Sequence, residues 1–224
     1  MVYLPLALLG GVLGLDVVSF PQAMVSRPLV AATLAGSLAG DSAGGLLVGA
    51  TLELIALETL PFGASRYPEW GSAAVVGGVL YAGHEAHPGG ALTIAVFGAL
   101  ATAWVGGWSM VQLRRANGRW AARHREEIEA GSRRAVMWLQ LLGLTADLIR
   151  GAALTVCAYA VLKPIADACL ALWPPDVHLA RAVVVAVAAS VTVGAAWNLF
   201  HAVRGARWVF VGGLVLGLIM LLES

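Results

Sequence analysis

Charge is what this 224-residue sequence has least of. Only 12% of its residues are Asp, Glu, Lys or Arg, where about a quarter is usual for a soluble domain. Apolar residues make up 59% and the mean hydropathy is +0.82, so the chain is composed for a bilayer. Neither sign dominates: 14 basic residues face 13 acidic ones for a net charge of +1. That balance by itself says nothing about nucleic acid, but the basic residues are placed like topology signals rather than as a phosphate-binding face. Cysteine is nearly absent, and Cys157 and Cys169 match no metal or redox spacing; both are expected to be packing residues. The N-terminus, MVYLPLALLGGVLGLD, lacks the basic region of a secretory leader, so it is read as a retained membrane element.

What is there is a series of apolar runs, several too short for the roughly 20 residues of a comfortable span. Tyr3 to Leu15 is one, ending at Asp16, and residues 17–27 interrupt the pattern with Ser19, Pro21 and Gln22. Such unwound backbone at membrane depth requires protein or a cavity to satisfy it. Pro28 to Leu60 is longer, with glycines at 36, 40, 44, 45 and 49. Asp41 and Ser42 sit where a helix could stop and restart with a capped N-terminus, which predicts helix, break, helix. Gly71 to Ala82 is again short, and Ala91 to Val111 follows GHEAHPGG, where a metal role for His84, Glu85 and His87 is less expected than an exposed turn.

Residues 113–134 hold seven of the basic residues and read as a cytoplasmic loop with an amphipathic helix. Beyond it come a long apolar run from Ala135 to Leu162, a short amphipathic or re-entrant piece from Ile165 to Trp173 closed by Pro174 and Pro175, and apolar elements from Ala182 to Val203 and Trp208 to Leu222. Arg204 and Arg207 mark the cytoplasmic side again. Asp147 and Arg150, three apart, are expected to form a structural ion pair on one helical face. The fold class is therefore an all-α integral membrane protein, a multi-span helical bundle with broken helices and re-entrant hairpins. Its membrane halves, 1–112 and 135–224, flank the basic loop 113–134, and glycine-rich phrases at 10–15 and 212–218 leave two inverted repeats open.

The longest apolar run holds Asp41, Glu53 and Glu58 with no basic residue between Arg27 and Arg66. A carboxylate in hydrocarbon costs roughly 2.5–3.5 kcal/mol on insertion scales, so these three need partners, a wet cavity or a ligand. That makes the run the candidate functional site.

The phrase SRPLVAATLAGSLAGDSAGGLLVGATLELIAL, preceded by LDVVSFPQAM and followed by GASRYPE, resembles the IIC subunit of the mannose/fructose/sorbose family of the bacterial phosphoenolpyruvate-dependent sugar phosphotransferase system. The matched pattern is an RPL, a GD, a G-x-TLEL and a GA-x-x-x-P-[DE]. The resemblance implies a bacterial inner-membrane permease subunit that binds a hexose or amino sugar together with a homologous IID subunit. A IIB domain charged through IIA would phosphorylate the sugar on the cytoplasmic side, and the IIC–IID pairs would assemble as a trimer. It also implies re-entrant hairpins and a moving core domain. No cofactor, metal or catalytic residue is expected on this chain, because the phosphoryl carriers of the family lie on IIA and IIB.

A sugar presents hydroxyls in fixed directions, and carboxylates, amides and hydroxyls exchange hydrogen bonds with them strongly in a water-poor site. The expected sugar contacts are Glu53 and Thr51 of TLEL, Gln22 of the interrupted segment, and Asp16 and Asp41; Asp41 has the rival role of capping or bracing the hairpin. Arg27 is expected to be structural. Glu58, Pro61, Phe97 and Ala103 depart from the family pattern, and the closing aromatic-rich stretch is mostly missing. A shortened homologue with a regulatory or non-phosphorylating role, or an unrelated ion-coupled transporter, therefore stay open as other readings.

Overall fold

Helix ends in this chain are written by a few residues, and the hairpin after residue 27 shows how. Pro28 occupies the first turn of helix α2 (Pro28–Leu38), where its missing N–H has no intrahelical role. At the other end Gly40 takes a φ of +90°, a conformation that glycine adopts without steric cost. Asp41 N–H then donates to Gly36 O at 2.8 Å and Gly40 N–H to Ser37 O at 3.2 Å, the two bonds of a Schellman motif. Asp41 turns at once from ending one helix to starting the next: its carboxylate accepts from Gly44 N–H at 2.8 Å and caps α3 (Ser42–Ala56). The helix, break, helix expected from the glycines and the Asp-Ser pair is the observed arrangement.

The computed structural model describes residues 3–57, 67–84, 90–172, 177–200 and 205–222. All regular structure among the described residues is helical. Besides α2 and α3 there are α1 (Tyr3–Asp16), α4 (Trp70–Ala82), α5 (Ala91–Arg123), α6 (Arg125–Glu129), α7 (Arg133–Ala171), α8 (Val177–Phe200) and α9 (Ala206–Leu222). Glu58, Pro61, Glu85, His87, Pro174, Pro175 and Arg204 lie outside the described residues.

Among the described residues, helices α5 and α7 are long and apolar enough to cross a membrane by length and composition. At 1.5 Å per residue, the 33 residues of α5 run about 50 Å, well beyond the roughly 30 Å of hydrocarbon. The basic stretch expected as a loop is therefore largely a continuation of this helix, up to Arg123, and the chain turns only through α6 before α7 begins. Good helix formers such as Arg and Ala let α5 continue past the last apolar turn. A second difference lies at Pro164. The separate piece expected from Ile165 to Trp173 is instead the end of α7, which carries Pro164 inside it. Interior prolines are tolerated in membrane helices because neighbouring groups satisfy the freed carbonyl. The cysteines differ too: both are free and exposed, on α7, so neither is a packing residue within this chain. The reason is that α7 keeps most of its apolar surface on the outside of the bundle, so an apolar sequence context does not mean burial within the chain.

The core is α4. Every residue from Trp70 to Tyr81 is buried, and α1, α2, α3, α5 and α7 all pack on it. A helix of 13 residues is about 20 Å long and cannot span alone; enclosure by its neighbours is what makes its length acceptable. Small residues give that enclosure its depth. A Cβ on Gly78 would stand 2.6 Å from Ala32 O, and one on Gly45 2.4 Å from the same oxygen. The backbone of α2 at Ala32 is thus gripped from α4 and from α3.

Gly78→Ala must push two backbones apart and is expected to destabilise by about 1–3 kcal/mol. Gly118→Ala, in α5 with open space around it, should be neutral or stabilising by about 0.5–1 kcal/mol through its helix propensity. Thermal unfolding of both variants in detergent checks this, and equal behaviour would contradict the close approach.

Candidate functional site

Asp16 ends α1 and is only 2% exposed. A carboxylate there requires donors, and it has backbone ones: Ala23 N–H at 2.6 Å and Ser26 N–H at 2.9 Å. These bonds gather the interrupted segment 17–27 into a fold of its own. It contains a cis Phe20–Pro21 peptide and two left-handed residues, Gln22 at φ 58° and Met24 at φ 62°. Each costs about 1–2 kcal/mol for a residue with a Cβ, and such outliers persist where surrounding bonds over-determine them. The Gln22 amide donates to Val18 O at 2.6 Å, and the Ser19 hydroxyl donates to Asp147 on α7.

The next expected contact residue is tied to the same segment. Glu53 pairs with Arg27 and accepts from Leu29 N–H at 3.2 Å, so one carboxylate answers both a guanidinium and an unpaired N–H at the start of α2. Arg27 is thus the partner of a carboxylate, as expected. Thr51 is buried and donates back to Leu47 O at 2.9 Å within α3. Asp41, the α3 cap, lies twelve residues before Glu53, about 18 Å along the helix. The structure therefore brings Asp16, Gln22 and Glu53 to one loop and leaves Asp41 at the opposite end of α3.

What the sequence reading missed is the group of side chains on the other side of that loop. Asp147, 2% exposed, accepts from Arg150 Nε at 2.8 Å, and Arg150 Nη1 donates to Ser109 Oγ at 3.3 Å. This is the expected ion pair, but it is also the floor of something larger. Glu69 is wholly buried; its Oε1 caps α4 by accepting from Ser72 N–H at 3.1 Å. Tyr67 OH accepts from Arg114, whose guanidinium lies 4.9 Å from the centre of the tyrosine ring. Three buried polar atoms here have no hydrogen-bond partner: Glu69 Oε2, Asn117 Oδ1 and Arg150 Nη2. Unsatisfied buried groups are rare and call for a ligand, a water or a moving part.

Beside them opens a cavity of about 410 Å³, lined by Val18, Ser19, Tyr67, Met110, Leu113, Arg114, Asn117 and Asp147. Its size falls in the range of small-molecule sites, and so does its mix of apolar wall with a few polar groups. The spacing of Asp147 and Arg150 was one signal for it, and the Pro-Glu pair ending at Glu69 was another. Arg114 gave none, since it stands in a stretch that looks like a solvated loop, and Asn117 in the same stretch was marked only by a weaker continuation of the family resemblance. At the far end of α4, His84 Nε2 meets Asp167 at 2.9 Å and Nδ1 meets Leu80 O at 2.6 Å. This histidine bridges α4 to α7, while Glu85 and His87 of the same phrase lie outside the described residues.

Short helices enclosed by longer ones, with charged and amide groups converging on a cavity inside them, are the build of an integral membrane protein that handles a small polar solute. The comparisons narrow that class. Residues 2–222 match the family described as the PTS system sorbose-specific IIC component, and the chain belongs to that family. Among curated relatives it is 42% identical over 60 residues to the PTS system mannose-specific EIIC component of Escherichia coli strain K12 and 40% identical over 60 residues to the sorbose-specific EIIC component of Klebsiella pneumoniae. It is also 35% identical over 75 residues to the fructose permease IIC component of Bacillus subtilis strain 168. The first two alignments take in 26% of this chain and 23% of each relative, and the third 34% and 28%.

Two solved structures share the fold over 99% of this chain. One, described only as a membrane protein, has a TM-score of 0.71 at 21% identity and is covered to 92%. The other, from a complex of the mannose transporter ManYZ with microcin E492, has a TM-score of 0.62 at 21% identity and is covered to 93%.

Asp147→Leu leaves Arg150 charged and unpaired in the interior and is expected to cost about 3–5 kcal/mol. Asp147→Leu combined with Arg150→Leu should recover part of that loss, because no unpaired guanidinium remains, although the buried Glu69 carboxyl loses its neighbouring cation. Chemical or thermal unfolding of the single and double variants reads the difference. Asp16→Ala releases two backbone N–H groups from a charged acceptor, and a loss of about 2–4 kcal/mol is expected in the same assay.

Proposed function

We propose that this chain is the IIC permease subunit of a sugar phosphotransferase system, carrying a hexose or amino sugar across the bacterial inner membrane. Family membership over residues 2–222 supports the class. The observation that carries the site is Asn117 Oδ1, buried without a hydrogen-bond partner, in the lining of a cavity of about 410 Å³. A pyranose ring would rest on Met110 and Leu113 while its hydroxyls meet Ser19, Asn117 and Asp147. Asn117 Oδ1 accepts one sugar hydroxyl, and Asp147 accepts another beside its bond to Arg150. In a site poor in water, such bonds to a charged acceptor are roughly twice as strong as neutral ones.

Gln22 acts from the loop that forms one wall and Glu53 from α3, tied to that loop through Arg27; Asp16 holds the loop in shape, and Thr51 and Asp41 brace the α2–α3 hairpin behind it. A homologous IID subunit joins the chain in the membrane, the pairs assemble as trimers, and a IIB domain charged by IIA phosphorylates the sugar as it leaves. This chain itself supplies binding and passage.

The test is sugar binding by the purified protein, alone and assembled with a IID subunit, across mannose, glucosamine, N-acetylgalactosamine, fructose and sorbose. One sugar is expected to bind, with Asn117→Ala and Glu53→Gln each weakening it at least about tenfold, the scale of one lost charge-assisted or well-placed hydrogen bond. No binding by a folded, partner-assembled sample would overturn the permease reading. Binding that both variants leave intact would move the site elsewhere.

A further inference from the structure

The turn between α5 and α7 builds a second concavity, which shares no lining residue with the polar cluster. Helix α6 closes the turn, with Gly131 at φ +76° bringing the chain round and Ser132 capping α7 by accepting from Ala135 N–H at 3.3 Å. The first residues of α7, Arg133 and Arg134, are exposed and have no acidic partner among the described residues. With His124 they line an open groove of about 750 Å³ whose remaining wall is Met137, Trp138 and Leu141. Those three are 49%, 59% and 56% exposed. The groove also contains Glu127; Arg125 and Glu129 of α6 pair with each other at 2.6 Å.

The order along α7 is what matters: two arginines, then an apolar and aromatic strip that runs on into the membrane-crossing part of the helix. A soluble protein domain would meet the arginines but not the strip, which faces hydrocarbon and the interface. A phospholipid has this order of chemistry, with a phosphate at one end and acyl chains below. The excess of arginine here places the groove at the cytoplasmic leaflet by the positive-inside rule, and there each basic residue near the surface attracts anionic lipid. Tryptophan at the headgroup level is a usual anchor at the same depth.

We propose that this groove is a binding site for one anionic phospholipid. Arg133 and Arg134 hold its phosphate, and Met137, Trp138 and Leu141 cover the upper part of its chains. Glu127 accepts a headgroup hydroxyl, which favours phosphatidylglycerol over phosphatidic acid.

The test titrates the full-length protein in detergent with phosphatidylglycerol, phosphatidylcholine or glycerol phosphate, reading bound lipid by native mass spectrometry and the melting temperature in parallel. Phosphatidylglycerol is expected to bind at least about tenfold more tightly than phosphatidylcholine, an electrostatic preference of the size two arginines give. Arg133→Gln with Arg134→Gln should abolish that preference. Arg115→Gln with Arg119→Gln, which removes the same charge from α5 outside the groove, should keep it. Equal binding of the two lipids, or a preference that survives the first pair, would overturn the site. Loss of preference in both pairs would reduce it to diffuse charge, and an equal response to glycerol phosphate would make it a free-phosphate site; either result overturns the proposal. Protection of the arginines by a soluble acidic protein domain without any lipid preference would assign the surface to a protein and overturn it as well.

Discussion

The Asp147–Arg150 pair ties the fold together where it would be weakest. Both charges lie on a membrane-crossing helix, and each alone would be costly there. Paired at 2.8 Å, they become a fixed polar point to which other elements attach. Ser19 joins it from the segment after α1 and Ser109 from α5, so one ion pair holds a strained loop and two long helices in register. Without it that loop would keep Asp16, the Gln22 amide and the Arg27–Glu53 pair but lose its tie to α7.

The rest of the structure follows from where backbone is allowed to stop being helical. In hydrocarbon every N–H and C=O must be satisfied within the protein, so each break is closed by a named side chain: Asp16 for the loop after α1, Asp41 for the hairpin, Glu69 for the start of α4. The few carboxylates of this chain are therefore mostly structural in their first bonds. Those bonds leave oxygens over. Glu69 Oε2, with Asn117 Oδ1 and Arg150 Nη2, remains buried without a partner beside the cavity.

Helix α4 sets the second constraint. Its burial on every side depends on glycines and alanines at the contacts, which let the neighbouring backbones approach closely. The smooth core and the half-length helices belong together: neither would be stable in a bilayer without the long α5 and α7 around them.

Much of this was legible in the sequence. Composition determined the solvent, and the Gly40-Asp41-Ser42 turn and Pro28 determined the hairpin, because capping and positive φ are local chemistry that few residue types satisfy. The RPL, GD, TLEL and Pro-Glu phrases identified the family for the same reason. The Asp147–Arg150 pair was visible as a spacing. Tertiary structure alone decided which carboxylates share a place. Asp41 and Glu53 sit on one helix but at its two ends, while Ser19 and Asp147, 128 positions apart in the chain, are hydrogen-bonded. Arg114 and Asn117 looked like loop residues because polarity in sequence does not distinguish a surface from a cavity wall. The continuation of α5 to Arg123 and of α7 through Pro164 was likewise hidden, since local propensity yields to the packing of neighbours when a helix is held on several sides.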